Sequence, residues 1–351
     1  MRPAEHGIGR VGVVGAGVMG AEIALVAALA GHPVTLVDVD AGALERARGH
    51  VERTAGRMAE RGRLDPAEVA PALARIAGAG DAGALAGSDL AIEAVPERAD
   101  LKRRVLGGIA AAVGPGALVA TNTSGISITD LAAAAGDPAR FVGLHFFNPA
   151  STMRLVEVIR GAGTAPATAE RAAAFARGLG KTPVAVAECP GFLVNRILVR
   201  ALAAAYAAAS DAAVAPADAD AAVAAGGPAP MGPHALGDLI GLDTLEAIRA
   251  DLVAAYGARY DDGGALAGLV ARGRLGRKAG GGFFDGRAPD GDPAAAGADR
   301  VAAAYYGAAA DEARRARDEG VAAAPDIDLA MRLGAGWERG PLGDDTAGGT
   351  S

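Results

Sequence analysis

Val11-Gly12-Val13-Val14-Gly15-Ala16-Gly17-Val18-Met19-Gly20 is the stretch on which the fold turns. Its opening run, with no polar break, reads as a buried strand, and the alanine- and leucine-rich segment after it, to about Ala30, reads as a helix. Val34-Thr35-Leu36-Val37 is a second apolar strand, ending at Asp38. Strand, helix and strand in so short a span predict a β-α-β unit of a parallel sheet. The glycines between strand and helix have the spacing of a dinucleotide-binding turn: Gly15 makes the turn, Gly17 lets the backbone approach a pyrophosphate, and Gly20 permits close helix–sheet packing. The helix start adds N–H groups and partial positive charge. Asp38, eighteen positions beyond Gly20, is placed to accept the hydroxyls of an adenosine ribose. It would repel a 2′-phosphate, and no arginine stands immediately beside it, so NAD is expected rather than NADP. The competing reading of Asp38 is a turn residue at a strand end.

Outward from this unit, further buried-strand candidates lie at 90–95, 118–121, 141–144 and 155–159, with helical stretches between most of them. Strand and helix alternating in this way predict an α/β Rossmann-type doubly wound parallel sheet over residues 1–188. The texture changes at Cys189-Pro190-Gly191. No convincing strand follows, so residues 189–286 are expected to form an all-α domain for substrate binding and dimerisation. The Gly/Pro/Asp/Ala-rich residues 287–299 read as a linker. Beyond it, Asp218-Ala219-Asp220 recurs as Asp326-Ile327-Asp328, and Met231-Gly232-Pro233 as Arg339-Gly340-Pro341, both at an offset of 108. Residues 300–343 are therefore expected to be a truncated repeat of the helical domain, packed against the first copy, and 344–351 a disordered tail.

Composition narrows the function classes. A chain of 351 residues allows about two domains, and 51% hydrophobic residues suffice for full cores. The net charge of −7 argues against nucleic acid as a main partner. Cys189 is the single cysteine, which rules out an intrachain disulfide, fits a reducing compartment and leaves no zinc-type cluster. The first residues lack the apolar run of a signal peptide, and no early run reaches the ~18 residues of a membrane span. A cytoplasmic protein with no membrane partner is expected.

The segment from Thr121 to Glu157 carries the chemistry. It holds Thr121-Asn122-Thr123-Ser124, Gly143-Leu144-His145-Phe146-Phe147-Asn148-Pro149 and Met153-Arg154-Leu155-Val156-Glu157-Val158-Ile159. On a strand, Glu157 shares a face with Leu155 and Ile159, and a carboxylate in such company needs a partner. An imidazole is the obvious candidate, and only five histidines are available. The other readings are an arginine partner for Glu157 and a core position for His145.

These stretches, with Pro190-Gly191-Phe192-Leu193-Val194-Asn195-Arg196, resemble the signatures of L-3-hydroxyacyl-CoA dehydrogenases, and the order and spacing agree over about residues 8–286. Met231-Gly232-Pro233, Asp238-Leu239-Ile240-Gly241-Leu242-Asp243 and Gly276-Arg277-Lys278-Ala279-Gly280-Gly281-Gly282-Phe283-Phe284 agree as well. The resemblance implies an NAD-dependent oxidoreductase with His145 as general base, Glu157 as its orienting partner, Ser124 bonding the substrate near the reacting oxygen, and Asn195 reaching toward it from the helical domain. It further implies that Glu97, Lys102, Asn122 and Lys278 line the dinucleotide, and that Thr54 and Arg61 touch coenzyme A. Arginines 46, 48, 53, 57, 61 and 63 suit acidic CoA phosphates or an ordinary exposed helix. Without the resemblance, Ser124 reads as a turn or cap residue, Asn195 as a helix start, and Glu97 with Lys102 as a solvated helix start. Gly125 and Phe284 depart from the common serine and tyrosine of the family. Longer members carry duplicated helical modules whose second copy occupies the space of a dimer partner. A homodimer through the helical domain is expected here unless the partial repeat substitutes for that partner. Two alternatives remain open: the same chemistry on a carrier-protein-bound hydroxyacyl group or another hydroxy acid, and a catalytically inactive nucleotide-binding structural or regulatory protein.

Overall fold

The computed structural model describes residues 7–343, and the tail expected at 344–351 lies outside the described residues. The chain divides into two compact units, one up to Glu188 and one from Cys189.

The first unit is built on β1 (Val11–Val14), α1 (Val18–Leu29), β2 (Val34–Val37), α2 (Ala41–Glu60), α3 (Pro66–Ala74), β3 (Ile76–Ala79), β4 (Leu90–Glu93), α4 (Ala99–Ala112), β5 (Leu118–Thr121), α5 (Ile128–Ala132), β6 (Phe141–Phe146), β7 (Leu155–Arg160), α6 (Pro166–Gly178) and β8 (Thr182–Ala187). Its eight-stranded sheet has the order β3-β2-β1-β4-β5-β6-β7-β8. The strands from β3 to β6 are parallel, as the doubly wound expectation requires. Strands β7 and β8, parallel to each other, run the opposite way because β7 returns antiparallel to β6. The physical reason is the connection: residues 147–154 are too few for a parallel crossover, which takes about a dozen or more. Helix α1 is apolar around nearly its whole circumference and is buried from Gly20 to Ala28. The main core gathers α1 against alternate residues of the sheet, among them Val142, Leu144, Phe146, Val156 and Val158. Period-two alternation therefore turns His145 and Glu157 to the other face.

The second unit holds α7 (Val194–Asp211), α8 (Pro216–Gly226), α9 (Pro233–Ile240), α10 (Leu242–Tyr256), α11 (Ala265–Ala271), α12 (Ala298–Asp318) and α13 (Ala324–Gly334), with no strand among the described residues. Helix α12 packs along α7 and α8. The stretch before it is pinned to α8, where Asp292 N donates to Asp218 Oδ1 at 2.8 Å. A local device recurs at the offset seen in the sequence. Asp220 Oδ1 accepts His234 N at 2.8 Å, and Asp328 Oδ1 accepts Leu342 N at 2.9 Å. Gly232 and Gly340 lie so close against these two aspartates that a Cβ on either would collide. Helices α8 and α13 are both eleven residues long and begin at equivalent positions.

Candidate active site

The glycine turn meets the physical demands of its motif. Gly15 has φ +109°, and a Cβ there would press on the Ala94 carbonyl. A Cβ on Gly20 would run into Gly15 O, whereas one on Gly17 would meet nothing within 4 Å. Gly17 is also the N-cap of α1, and no side chain caps that helix start. Open space above a bare helix N-terminus fits a dinucleotide phosphate. Asp38 Oδ2 accepts Ala16 N at 2.8 Å and Oδ1 accepts Asp40 N at 2.9 Å, which fastens the end of β2 to the turn. A carboxylate has about four lone-pair sites, so these bonds leave capacity for ribose hydroxyls.

His145 and Glu157 are direct register partners on the antiparallel strands β6 and β7. That places both side chains on one face, and His145 Nδ1 lies 2.6 Å from Glu157 Oε2. Glu157 is fully buried and His145 is 5% exposed, with Phe147 packed on the imidazole. A carboxylate on Nδ1 sets the tautomer in which Nε2 is the basic nitrogen. The sequence anticipated this pair, and the geometry makes it a hydrogen-bonded one.

Asn122 follows β5 directly, and its Oδ1 accepts Phe146 N at 2.8 Å, tying down the end of β6 one residue past His145. Glu97 Oε1 accepts Ser124 N at 2.9 Å and Gly125 N at 3.2 Å, along with the Thr123 hydroxyl. Ser124 therefore sits in a loop organised by Glu97. Lys102 departs from the solvated helix start: it is 1% exposed, and its ammonium donates to Glu93 Oε1 at 2.8 Å and to Val95 O at 3.1 Å. Sequence reading missed Glu93, whose only signal was a carboxylate in the apolar run Leu90-Ala91-Ile92-Glu93. It also missed Lys181, which donates to Met153 O at 2.8 Å and to Ala150 O, and so braces the connection between β6 and β7. Glu22 braces the same connection by accepting Ser151 N, and it pairs with His50 at 2.8 Å.

Thr54 is buried on α2, and its hydroxyl accepts from Arg57 at 3.2 Å. Arg61 is exposed at the C-cap of α2, and arginines 46, 48, 53, 57 and 63 are exposed along the same hairpin. Arg46 and Arg48 pair with Asp40 and Glu52.

In the helical unit, Asn195 is the second residue of α7. The turn before it uses Gly191 at φ +76° and Phe192 at φ +51°, a conformation that is uncommon outside glycine. Arg196, fully buried, donates from Nε to Glu312 at 2.7 Å and from Nη1 to Glu319 at 2.7 Å, and stacks over Tyr256. Lys278 pairs with Asp243 at 2.5 Å and holds that carboxyl below the usual range. His234 also meets a carboxylate, Asp220, at 2.9 Å. That carboxylate accepts two backbone amides as well, and the ring packs on Tyr206 and Phe283, so the pair serves as a buried helix cap. Among the described residues no group of His, Cys, Asp and Glu could hold a metal ion, and no helix is long and apolar enough to cross a membrane.

Comparison with known proteins gives the same outline. Residues 10–189 match the family model described as "3-hydroxyacyl-CoA dehydrogenase, NAD binding domain", and residues 191–286 match "3-hydroxyacyl-CoA dehydrogenase, C-terminal domain". The chain is 40% identical over 276 residues to a probable 3-hydroxybutyryl-CoA dehydrogenase of Deinococcus radiodurans, covering 78% of this chain and 99% of that protein. It is 41% identical over 280 residues to 3-hydroxyadipyl-CoA dehydrogenase of Escherichia coli, covering 79% of this chain but only 59% of that protein. The crystal structure of 3-hydroxybutyryl-CoA dehydrogenase from Escherichia coli K12 superposes with a TM-score of 0.88 at 31% identity, covering 97% of this chain and 92% of that one.

Proposed function

The chain belongs to the 3-hydroxyacyl-CoA dehydrogenase family, and from that premise we propose that it interconverts L-3-hydroxyacyl-CoA and 3-ketoacyl-CoA with NAD. The observation that carries this reading is the buried His145–Glu157 pair, 2.6 Å apart in strand register. NAD, when bound, would supply the acceptor for the hydride that leaves the carbinol carbon. His145 Nε2 takes the hydroxyl proton, and Glu157 holds the ring by Nδ1 and stabilises the imidazolium that forms. The Ser124 hydroxyl donates to the substrate oxygen as it becomes a carbonyl, and Asn195 is assigned by resemblance a further hydrogen bond to the reacting group. Gly15, Gly17, Gly20 and Asp38 would hold the dinucleotide. Glu97, Asn122 and Lys278 belong to its surroundings by resemblance, while the hydrogen bonds of Glu97 and Asn122 support a second task, fixing Ser124 and the end of β6. Arg61 and the exposed arginines beside it suit the CoA phosphates; Thr54, buried and bonded to Arg57, is the weaker of the two expected CoA contacts.

The test is NADH oxidation with acetoacetyl-CoA, longer 3-ketoacyl-CoAs and carrier-bound analogues. His145→Gln should lose at least about 10²-fold in kcat, the low end for general acid–base catalysis. An unchanged rate would remove His145 from the base role, and a preference for carrier-bound substrates would move the handle from CoA to a carrier protein.

The region after residue 286 supports a second part of the proposal. The recurrence of α8, its aspartate cap and its glycine in α13, Asp328 and Gly340 supports reading residues 300–343 as a truncated second helical module. With α12 lying along α7 and α8, this module stands in for a dimer partner at that face.

A further inference from the structure

No arginine stands immediately beside Asp38 in the sequence, yet the fold brings one to the same corner. Asp40, two residues on, donates its amide to Asp38 Oδ1 at 2.9 Å and caps α2 by accepting Gly42 N on its own Oδ1 at 2.8 Å. Its other oxygen accepts Arg46 Nη2 at 2.9 Å. The arginine folds back over the first turn of the helix, where a Cβ on Gly42 would lie 3.0 Å from both Arg46 Nη1 and Asp40 Oδ1. Arg46 therefore stands at the opposite end of α2 from Arg61 and is tied, through one residue, to the carboxylate expected to meet the ribose.

Charge decides what this corner admits. Asp38 and Asp40 bring two negative charges, and Arg46 brings one positive charge. The guanidinium holds the Asp40 carboxyl below the usual carboxylate range. The two side chains are 71% and 57% exposed, so the pair adds little to stability, and its effect lies in where it keeps the guanidinium. An NAD ribose brings hydroxyls, which Asp38 can accept. An NADP ribose brings a phosphate monoester with a charge of about −1.5 to −2 at pH 7. Two carboxylates repel that group, and the guanidinium that could form a bidentate pair with it is engaged by Asp40. A phosphate that drew Arg46 away would leave Asp40 uncompensated beside it.

We propose that Asp40 is a specificity residue for the cofactor, additional to Asp38: it keeps Arg46 from a 2′-phosphate, and its own charge makes NADPH the poorer ligand. The proposal rests on the assignment of the glycine turn and Asp38 to the adenosine side of the dinucleotide. Asp38 offers an acceptor to the ribose hydroxyls, whereas Asp40 acts through its charge and through the place it gives Arg46.

A cycle of substitutions in the full chain tests this: Asp40→Ser, Arg46→Ala and the two combined. Serine is also a good helix cap, so Asp40→Ser removes the charge and keeps the start of α2, and Asp40→Asn serves as a second variant of the same kind. Dissociation constants for NADH and NADPH are read by fluorescence titration at low and at high salt. Asp40→Ser should tighten NADPH about 10-fold, the effect of one added charge-assisted bond, and leave NADH within about twofold. The gain should shrink at high salt, because the charges involved are exposed. Arg46→Ala should cost NADPH at least about fivefold more in the Asp40→Ser background than in the parent, since only there is the guanidinium released. NADPH binding unchanged in both Asp40→Ser and Asp40→Asn would overturn the proposal, and so would a gain that survives Arg46→Ala in full. A parent chain that binds NADPH as tightly as NADH would overturn it as well, because no preference would then exist. A parent that binds neither nucleotide overturns the assignment of the glycine turn and Asp38, an outcome read from NADH alone and separate from the others.

Discussion

Glu157 shows what one residue contributes when its surroundings leave it a single use. Full burial of a carboxylate among Leu155, Val156, Val158 and Ile159 is unfavourable by several kcal/mol unless it is paired. The partner is fixed by strand register rather than by chance proximity, since His145 is its opposite number on β6. That register depends on the connection between β6 and β7, and Lys181 holds two carbonyls of that connection. Burial lowers the Lys181 ammonium from its ordinary 10.5 to about 8, with Glu22 pulling the other way. A folded value below the unfolded one means that the unfolded chain binds more protons between pH 8 and 10.5, so the position adds stability as pH rises through that window. The neutral amine keeps two N–H groups for its two carbonyls. The parent should therefore gain stability relative to Lys181→Met from pH 8 to 10.5, measured by urea denaturation of both proteins at each pH. A difference that stays flat with pH would show that Lys181 titrates normally.

Elements differ in how far their sequences announce them. β1, β2, β4 and β5 are mainly apolar runs between parallel neighbours, and such strands are visible in sequence because both faces are covered. β3, Ile76-Ala77-Gly78-Ala79, has only small side chains after Ile76 and is an edge strand, so it carries little apolar side chain for a core to claim. β8 begins Thr182-Pro183, and proline within a strand argues against one except at an edge, where the missing N–H has no ladder to serve. The opposed direction of β7 was equally hidden, because apolar content carries no direction and only the short connection does. In the site, His145, Glu157 and Ser124 were legible as motif residues. Glu93 was not, because its partner lies nine positions away, beyond the loop after β4 and past the start of α4. The same holds for Arg196, whose carboxylates come from α12 and its C-cap, more than a hundred residues on. Glu312 also accepts Arg259 Nη2 at 3.2 Å, so one buried carboxylate faces two guanidinium groups. Removing one partner of a buried pair typically costs about 3–5 kcal/mol. Glu319, itself half-exposed, compensates Arg196 only in part. Glu312→Gln should therefore destabilise the helical unit by about 3 kcal/mol. Fluorescence of Trp337, the single tryptophan, buried against Tyr305 and Tyr306, reports the transition in chemical denaturation. A loss under about 0.5 kcal/mol, the range of ordinary surface substitutions, would mean that α12 does not neutralise Arg196.

At the scale of the whole molecule, the matched domains end at residue 286, yet the chain continues through α12 and α13. The internal offset of 108 was readable from a few aspartates and glycines, because those positions admit few other residues: the aspartate must cap and the glycine must lie against it. What the offset could not convey is which face of the helical unit α12 would cover. Helix α12 buries Val301, Tyr305, Ala309, Ala313 and Ala316 and brings Glu312 to Arg196. A chain ending at 286 would expose the facing side of α7 and leave the buried arginine without Glu312 and Glu319. An apolar helix face with an unpaired arginine favours association with a second copy, since anything that covers it stabilises the folded state by mass action. The full chain should then sediment as a single chain across micromolar concentrations, and the chain truncated after residue 286 should self-associate or unfold at a lower temperature. Sedimentation velocity of both proteins over a concentration series checks this. Equal self-association of the two, with equal thermal midpoints, would mean that residues 287–343 cover nothing a partner would otherwise need.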